Sequence, residues 1–178
     1  MEEYSEEKTI FEFENDSLVL SVWIDGYVDD PDYEEDGLVP DDPRLRRNGL
    51  ACGRNIKAKD GSGFGCMFCP EIIMTHDVVA LRDGVGEFLN GAIDKFGPFP
   101  KQNPYGGDCP FFSLELKRNE DGGVAFVAIT DVPGSGVDEV SGLMTNDRLK
   151  ELHEYFTRIV EWFPPRPEEK LTGENDDR

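Results

Sequence analysis

The stretch from Thr145 to Pro165 constrains the fold most. Leu149, Leu152, Phe156, Ile159, Val160 and Phe163 recur at i, i+3, i+7, i+10, i+11 and i+14, which puts them on one stripe of an α-helix. Thr145 or Asn146 supplies an N-cap, and Asp147 places an acid in the first turn, where the helix dipole favours it. Pro164-Pro165 ends the helix, since proline donates no backbone bond and clashes with the preceding turn. A helix with one apolar stripe needs a second layer to cover it.

The rest of the chain predicts that layer to be a sheet. Residues 8–14 alternate, with Phe11 and Phe13 on one face, and residues 17–28 are rich in β-branched and aromatic side chains; both read as strands, turned at Asn15-Asp16. Asp29 to Pro43 holds three prolines and eight acids and reads as a loop. Residues 49–58 and 63–69 read as a hairpin joined by Asp60-Gly61-Ser62-Gly63. A helix is predicted over about 76–93, capped by Thr75, with Asp77 in its first turn and Val78, Leu81, Val85, Phe88, Leu89 and Ile93 on one face. Gly84 and Gly86 should weaken it, each by up to ~1 kcal/mol against alanine. Residues 96–110, with Pro98, Pro100, Pro104 and Pro110, read as an irregular connector. Phe111–Lys117 and Val124–Ile129 flank Asn119–Gly123 as the clearest hairpin, and Val137–Thr145 adds another strand.

The order of strands, helix, strands, helix predicts the α+β class: an antiparallel β-sheet with two amphipathic helices packed against it. A single compact domain is expected over residues 8–166, with a flexible acidic N-terminus at 1–7 and a flexible C-terminal tail at 167–178.

Charge narrows the function. The chain of 178 residues carries a net −20. Residues 1–42 hold sixteen acids against Lys8 alone, a net −15. Residues 43–59 then hold six bases (Arg44, Arg46, Arg47, Arg54, Lys57, Lys59) and no acid; they either fold back against the acids or form a separate surface. This balance argues against binding nucleic acid, whose phosphates want Lys and Arg. It favours a basic protein partner, or simply solubility. No run approaches the roughly 20 apolar residues that cross a membrane, and Met1–Glu7 is acidic where a signal peptide would be basic and then apolar. A cytoplasmic protein with no membrane partner is the expectation.

No catalytic motif emerges. Cys66-Met67-Phe68-Cys69 is a C-x-x-C, and Cys52 and Cys109 could complete a zinc site, but those two are single and 57 residues apart. A redox dithiol wants its first cysteine at a helix N-terminus, whereas this motif falls in a predicted strand. Small buried residues or free thiols in a reducing compartment is the preferred reading. The acids from Asp32 to Asp36 resemble the start of a calcium loop, yet position 12 is Pro43 where a bidentate acid is needed. His76 is expected at the surface and His153 packed or half-exposed. Gly134-Ser135-Gly136 lacks the lysine of a phosphate loop. Trp23 and Trp162 read as core or half-buried. The expectation is a non-enzymatic protein with no catalytic residues, cofactor or metal site. The less favoured alternatives are an adaptor or structural binder, or a zinc- or thiol-dependent protein using Cys66 and Cys69.

Several segments resemble the WapI-type immunity proteins of bacterial polymorphic toxin systems. They are Trp23–Tyr27 running into Asp32–Leu38, Cys69-Pro70 ahead of a helix, Cys109-Pro110-Phe111-Phe112-Ser113-Leu114-Glu115-Leu116, and a last helix closing in Phe163-Pro164-Pro165-Arg166. The resemblance implies a cytoplasmic binder that neutralises a cognate toxin, often a nuclease, and it carries over no catalytic residue. A nuclease must present a positive surface to hold phosphate, and dense carboxylates would associate with that surface fast and selectively. The expected partner-binding residues are Tyr27, Asp29, Asp30, Asp32, Tyr33, Glu34, Glu35 and Asp36, with the two tyrosines as anchors.

Overall fold

A computed structural model describes residues 9–28, 43–62, 66–101, 112–129 and 137–167. The elements are β1 (Ile10–Glu14), β2 (Leu18–Tyr27), α1 (Pro43–Asn48), β3 (Gly49–Ala58), β4 (Cys66–Met74), α2 (Thr75–Leu89), β5 (Lys95–Phe99), β6 (Ser113–Arg118), β7 (Val124–Ile129), β8 (Glu139–Met144) and α3 (Asn146–Trp162). The class is α+β as expected, but the strands form two sheets rather than one. Both are antiparallel and four-stranded, ordered β1-β2-β3-β4 and β5-β6-β7-β8.

The sheets abut at β1 and β8, where side chains and not a backbone ladder make the polar contacts. Asn15 donates its side-chain amide to the Ser141 carbonyl of β8 at 3.0 Å, and Arg148 of α3 donates to the Glu12 carbonyl of β1 at 2.7 Å. One carbonyl at each strand is thereby satisfied without strand pairing. Beneath this seam the core is continuous. Phe13 packs against Phe112 and Phe126 at ring separations of 5.4 and 5.7 Å, joining the first sheet to the second. Leu149, Leu152, Tyr155, Phe156 and Ile159 of α3 and Val78, Leu81, Val85 and Phe88 of α2 are buried in the same cluster.

Most elements lie where the sequence puts them, with instructive differences. Thr145 caps α3 by accepting from the Arg148 amide at 3.1 Å. Thr75 does not cap α2. It is the first helical residue, buried, and its hydroxyl donates to Asn48 Oδ1 at 3.3 Å. Helix α2 ends at Leu89 rather than near residue 93, and Gly91 follows with φ +74°, a left-handed conformation that suits glycine after a helix. The expected connector at 96–110 begins inside a strand. β5 pairs Phe96 with Leu116 and Phe99 with Leu114, and its register shifts between them, where Pro98 lies. β5 is an edge strand, and edges and bulges are where a sheet tolerates proline. Residues 102–110 lie outside the described residues.

The two glycines of α2 have packing roles. A Cβ at Gly84 would lie 1.9 Å from a ring carbon of Phe96, and one at Gly86 would lie 2.9 Å from His153 Nε2. Glycine lets β5 and α3 approach the helix at these points.

Candidate partner-binding surface

Of the expected partner-binding residues, Tyr27 is described, while Asp29, Asp30, Asp32, Tyr33, Glu34, Glu35 and Asp36 lie outside the described residues. So does most of the predicted 29–43 loop, although Pro43 itself opens α1. What can be built is the frame from which that acidic segment departs and to which it returns.

The departing end is β2. Val28 donates its amide to the Gly49 carbonyl at 3.1 Å, tying the exit from β2 to the entry into β3. Tyr27 is half-buried. Its hydroxyl donates to the Pro164 carbonyl at 2.5 Å, its ring meets Phe163 edge-on at 5.6 Å, and the Arg166 guanidinium stacks 3.4 Å from its centroid. The tyrosine is therefore enclosed by the fold on several sides rather than offered as a free anchor.

The returning end is α1. Asn48 accepts from the Arg166 amide at 2.7 Å and donates to the Arg166 carbonyl at 3.0 Å. Arg47 donates through Nε to the Pro167 carbonyl at 2.6 Å. Residues 163–167 thus form a strap past the end of α3 that touches both β2 and α1, the elements on either side of the acidic segment. Pro167, placed by the sequence at the start of the tail, belongs to this strap. Arg166 appears in the Phe-Pro-Pro-Arg ending, but Asn48 carried no sequence signal, because a polar side chain bonding a distant backbone leaves no periodicity.

The basic run of residues 43–59 begins in α1 and continues through β3, and its last three members pair with acids of β1 and β4. Lys59 pairs with Glu14 at 2.9 Å and Lys57 with Glu12 at 3.6 Å. The Lys59 ammonium holds the Glu14 carboxyl below the ordinary glutamate value. Arg54 forms a two-point pair with Glu71, Nη2 to Oε1 at 2.7 Å and Nη1 to Oε2 at 3.1 Å. The arginine side chain is 8% exposed and the glutamate 23%, so this is a largely desolvated pair.

Three titratable groups, Cys52 and Tyr155 buried and Asp77 half-buried, have no evident chemistry. Cys52 is a free, buried thiol, and burial pushes its pKa well up, with Glu71 adding to the effect; it is therefore a poor nucleophile. Burial likewise keeps the Tyr155 hydroxyl neutral, raised far above the ordinary phenol value. Burial raises the Asp77 carboxyl, and adjacent His76, 3.6 Å away, partly offsets it. His76 is exposed and His153 half-buried against Gly86. Trp23 and Trp162 are half-buried. Cys66 and Cys69 lie in β4 by their backbone, and their side chains are outside the described residues. Among the described residues no group of three or more His, Cys, Asp or Glu could hold a metal ion, and no helix is long and apolar enough to cross a membrane.

No protein-family model matches the chain, and no curated protein matches it.

Proposed function

We propose that the chain is a non-enzymatic acidic binding protein, an immunity protein that neutralises a cognate toxin through the toxin's basic surface. The observation that carries this reading is the concentration of charge: a net −15 in residues 1–42, eight of the acids between Asp29 and Asp42. Carboxylates at that density speed encounter with a cationic face and disfavour anionic competitors. The strap supports the reading, because it fixes β2 and α1 relative to one another, and a segment that runs between two fixed elements has less freedom to lose on binding. The resemblance to WapI-type immunity proteins supplies the toxin, with a nuclease as the leading candidate, and a cytoplasmic site of action.

The test is binding between the purified chain and the toxin domain encoded beside its gene. Association should slow steeply as salt rises. Reversing Asp29, Asp30, Asp32, Glu34, Glu35 and Asp36 to lysine should cut the on-rate most at low ionic strength. An association rate indifferent to both salt and these substitutions would overturn the proposal.

A further inference from the structure

The second sheet leaves one face to water, and that face is apolar at its centre. Phe126 and Ala128 of β7 point into the core. The outward positions of the same strand are Ala125, Val127 and Ile129, so β7 has no polar side chain on either side. An antiparallel sheet with one wetted face ordinarily carries polar residues there, and a strand apolar on both sides is the pattern of one covered twice. Register sets Leu143 of β8 beside Ala125. Leu143 is 71% exposed and Ile129 36%, two of the three large hydrophobic side chains exposed among the described residues. The charges on this face balance. Lys95 and Lys117 lie side by side on β5 and β6, in the row of Ala125 and Leu143. Glu139 lies at the opposite corner, on β8 beside Ile129. Glu115 sits between and pairs with Lys95 at 3.2 Å. Lys117 and Glu139 are exposed and pair with no described residue. The chain carries a net −20, with −15 of it in residues 1–42, so a neutral apolar face is where two such molecules can approach closely.

We propose that this face binds the same face of a second copy of the chain, as a weak symmetric dimer. A two-fold contact sets a surface against itself, so that surface must be self-complementary. Here it is. Stacked sheets cross either nearly aligned or near a right angle. In the right-angled arrangement, with the axis along the diagonal through Leu143, Leu143 meets the copy's Leu143. The corner with Lys95 and Lys117 then lies over the copy's Glu139, and the reverse contact forms at the other end. Four strands of five or six residues give an outline of roughly 400 Å² on each copy. That is at the small end for a specific interface, so the dimer is weak. The face lies away from the acidic segment and does not rest on that segment's role.

Sedimentation of the full chain over about 10 µM to about 1 mM tests it, and a reversible dimer with a Kd of about 0.1–1 mM is expected. The dimer should tighten as salt rises, because salt screens the repulsion between two chains of net −20. Binding of a basic partner through the acidic segment weakens with salt, so the two readings fail separately. Leu143→Glu should weaken the dimer about tenfold or more while the melting temperature holds, since this side chain is exposed. Lys117→Glu and Glu139→Lys should each stay monomeric alone and associate when mixed, because only the mixed pair sets an acid against a base at both corners. That rescue also shows that both variants fold. The proposal is overturned if the chain stays monomeric throughout, which would assign the face to a different partner. It is overturned equally by a dimer that Leu143→Glu leaves untouched, or by mixed variants that stay apart.

Discussion

Asn48 holds Arg166 by both main-chain groups, accepting from its amide at 2.7 Å and donating to its carbonyl at 3.0 Å. One side-chain amide here does the work of a neighbouring strand. Asn48→Ala removes both bonds and the acceptor of Thr75. Water can reach the strap, so the expected loss is about 1 kcal/mol, a fall in Tm of about 2–4 °C. Amide exchange at Arg166 should accelerate while that of Leu149 and Ile159 holds. Asn48→Asp keeps the acceptor and should fall between the two.

The Arg54–Glu71 pair makes a sharper prediction. Glu71→Gln takes a two-point carboxylate from a largely buried guanidinium, and removing one member of such a pair costs about 3 kcal/mol or more. Replacing both residues by methionine should cost less than Glu71→Gln alone, because the desolvated guanidinium goes together with its carboxylate. Urea denaturation of the two variants decides it, and a double variant weaker than the single would sink the argument.

Tyr155 should be dispensable as a phenol. Its hydroxyl is buried with no partner, while its ring packs 5.6 Å from Phe11 and 5.2 Å from Phe156. Tyr155→Phe keeps the ring contacts and removes an unsatisfied polar atom, so it should hold or raise Tm, by up to about 2–4 °C. A clear fall in the melting curve would mean that an internal water satisfies the hydroxyl.

The Glu14–Lys59 pair gives a pH dependence. The folded Glu14 carboxyl lies below its ordinary value of 4.5, chiefly through the Lys59 hydrogen bond and charge. A lowered folded pKa means that the pair's stabilisation is fully present above the unfolded value and is lost as pH falls through the folded one. The pair is exposed, so the contribution is small and salt-screened. Carboxyl ¹³C titration should find Glu14 below the glutamates without partners, and Lys59→Gln should return it toward them.

What the sequence reveals here is periodicity, and what it hides is contact between distant residues. The α3 stripe, the β6–β7 hairpin and strands β1 to β3 all follow from spacing or from a local turn, and each forms close to its expected bounds, whereas β4, expected over residues 63–69, runs from Cys66 to Met74. At the seam between the two sheets Asn15 reaches Ser141 and Arg148 reaches Glu12, polar contacts across more than a hundred residues that leave no trace in periodicity. Strand β5 was hidden because proline reads as a breaker until the strand is known to be an edge. At the candidate surface, the sequence located the acids and the tyrosine. It did not show that Tyr27 is engaged with Phe163, Pro164 and Arg166, because a stacked cation and a bonded carbonyl look like any other exposed tail.

Gly84 sets two effects against each other. By helix propensity alone, Gly84→Ala in α2 should stabilise the protein by about 1 kcal/mol. The new Cβ would sit 1.9 Å from a Phe96 ring carbon and 2.5 Å from the next, far inside contact distance. Overpacking of this kind costs about 1–3 kcal/mol, so the net expectation is a loss of about 1 kcal/mol or more. Moving the Phe96 ring would also disturb β5, which pairs Phe96 with Leu116. The same substitution in a Phe96→Ser background should reverse sign, because the clash is gone while the propensity gain remains. A double-mutant cycle read by denaturation measures this coupling directly. If Gly84→Ala stabilised both backgrounds alike, the glycine would be an ordinary weak point in a helix and not the seat of the β5 contact.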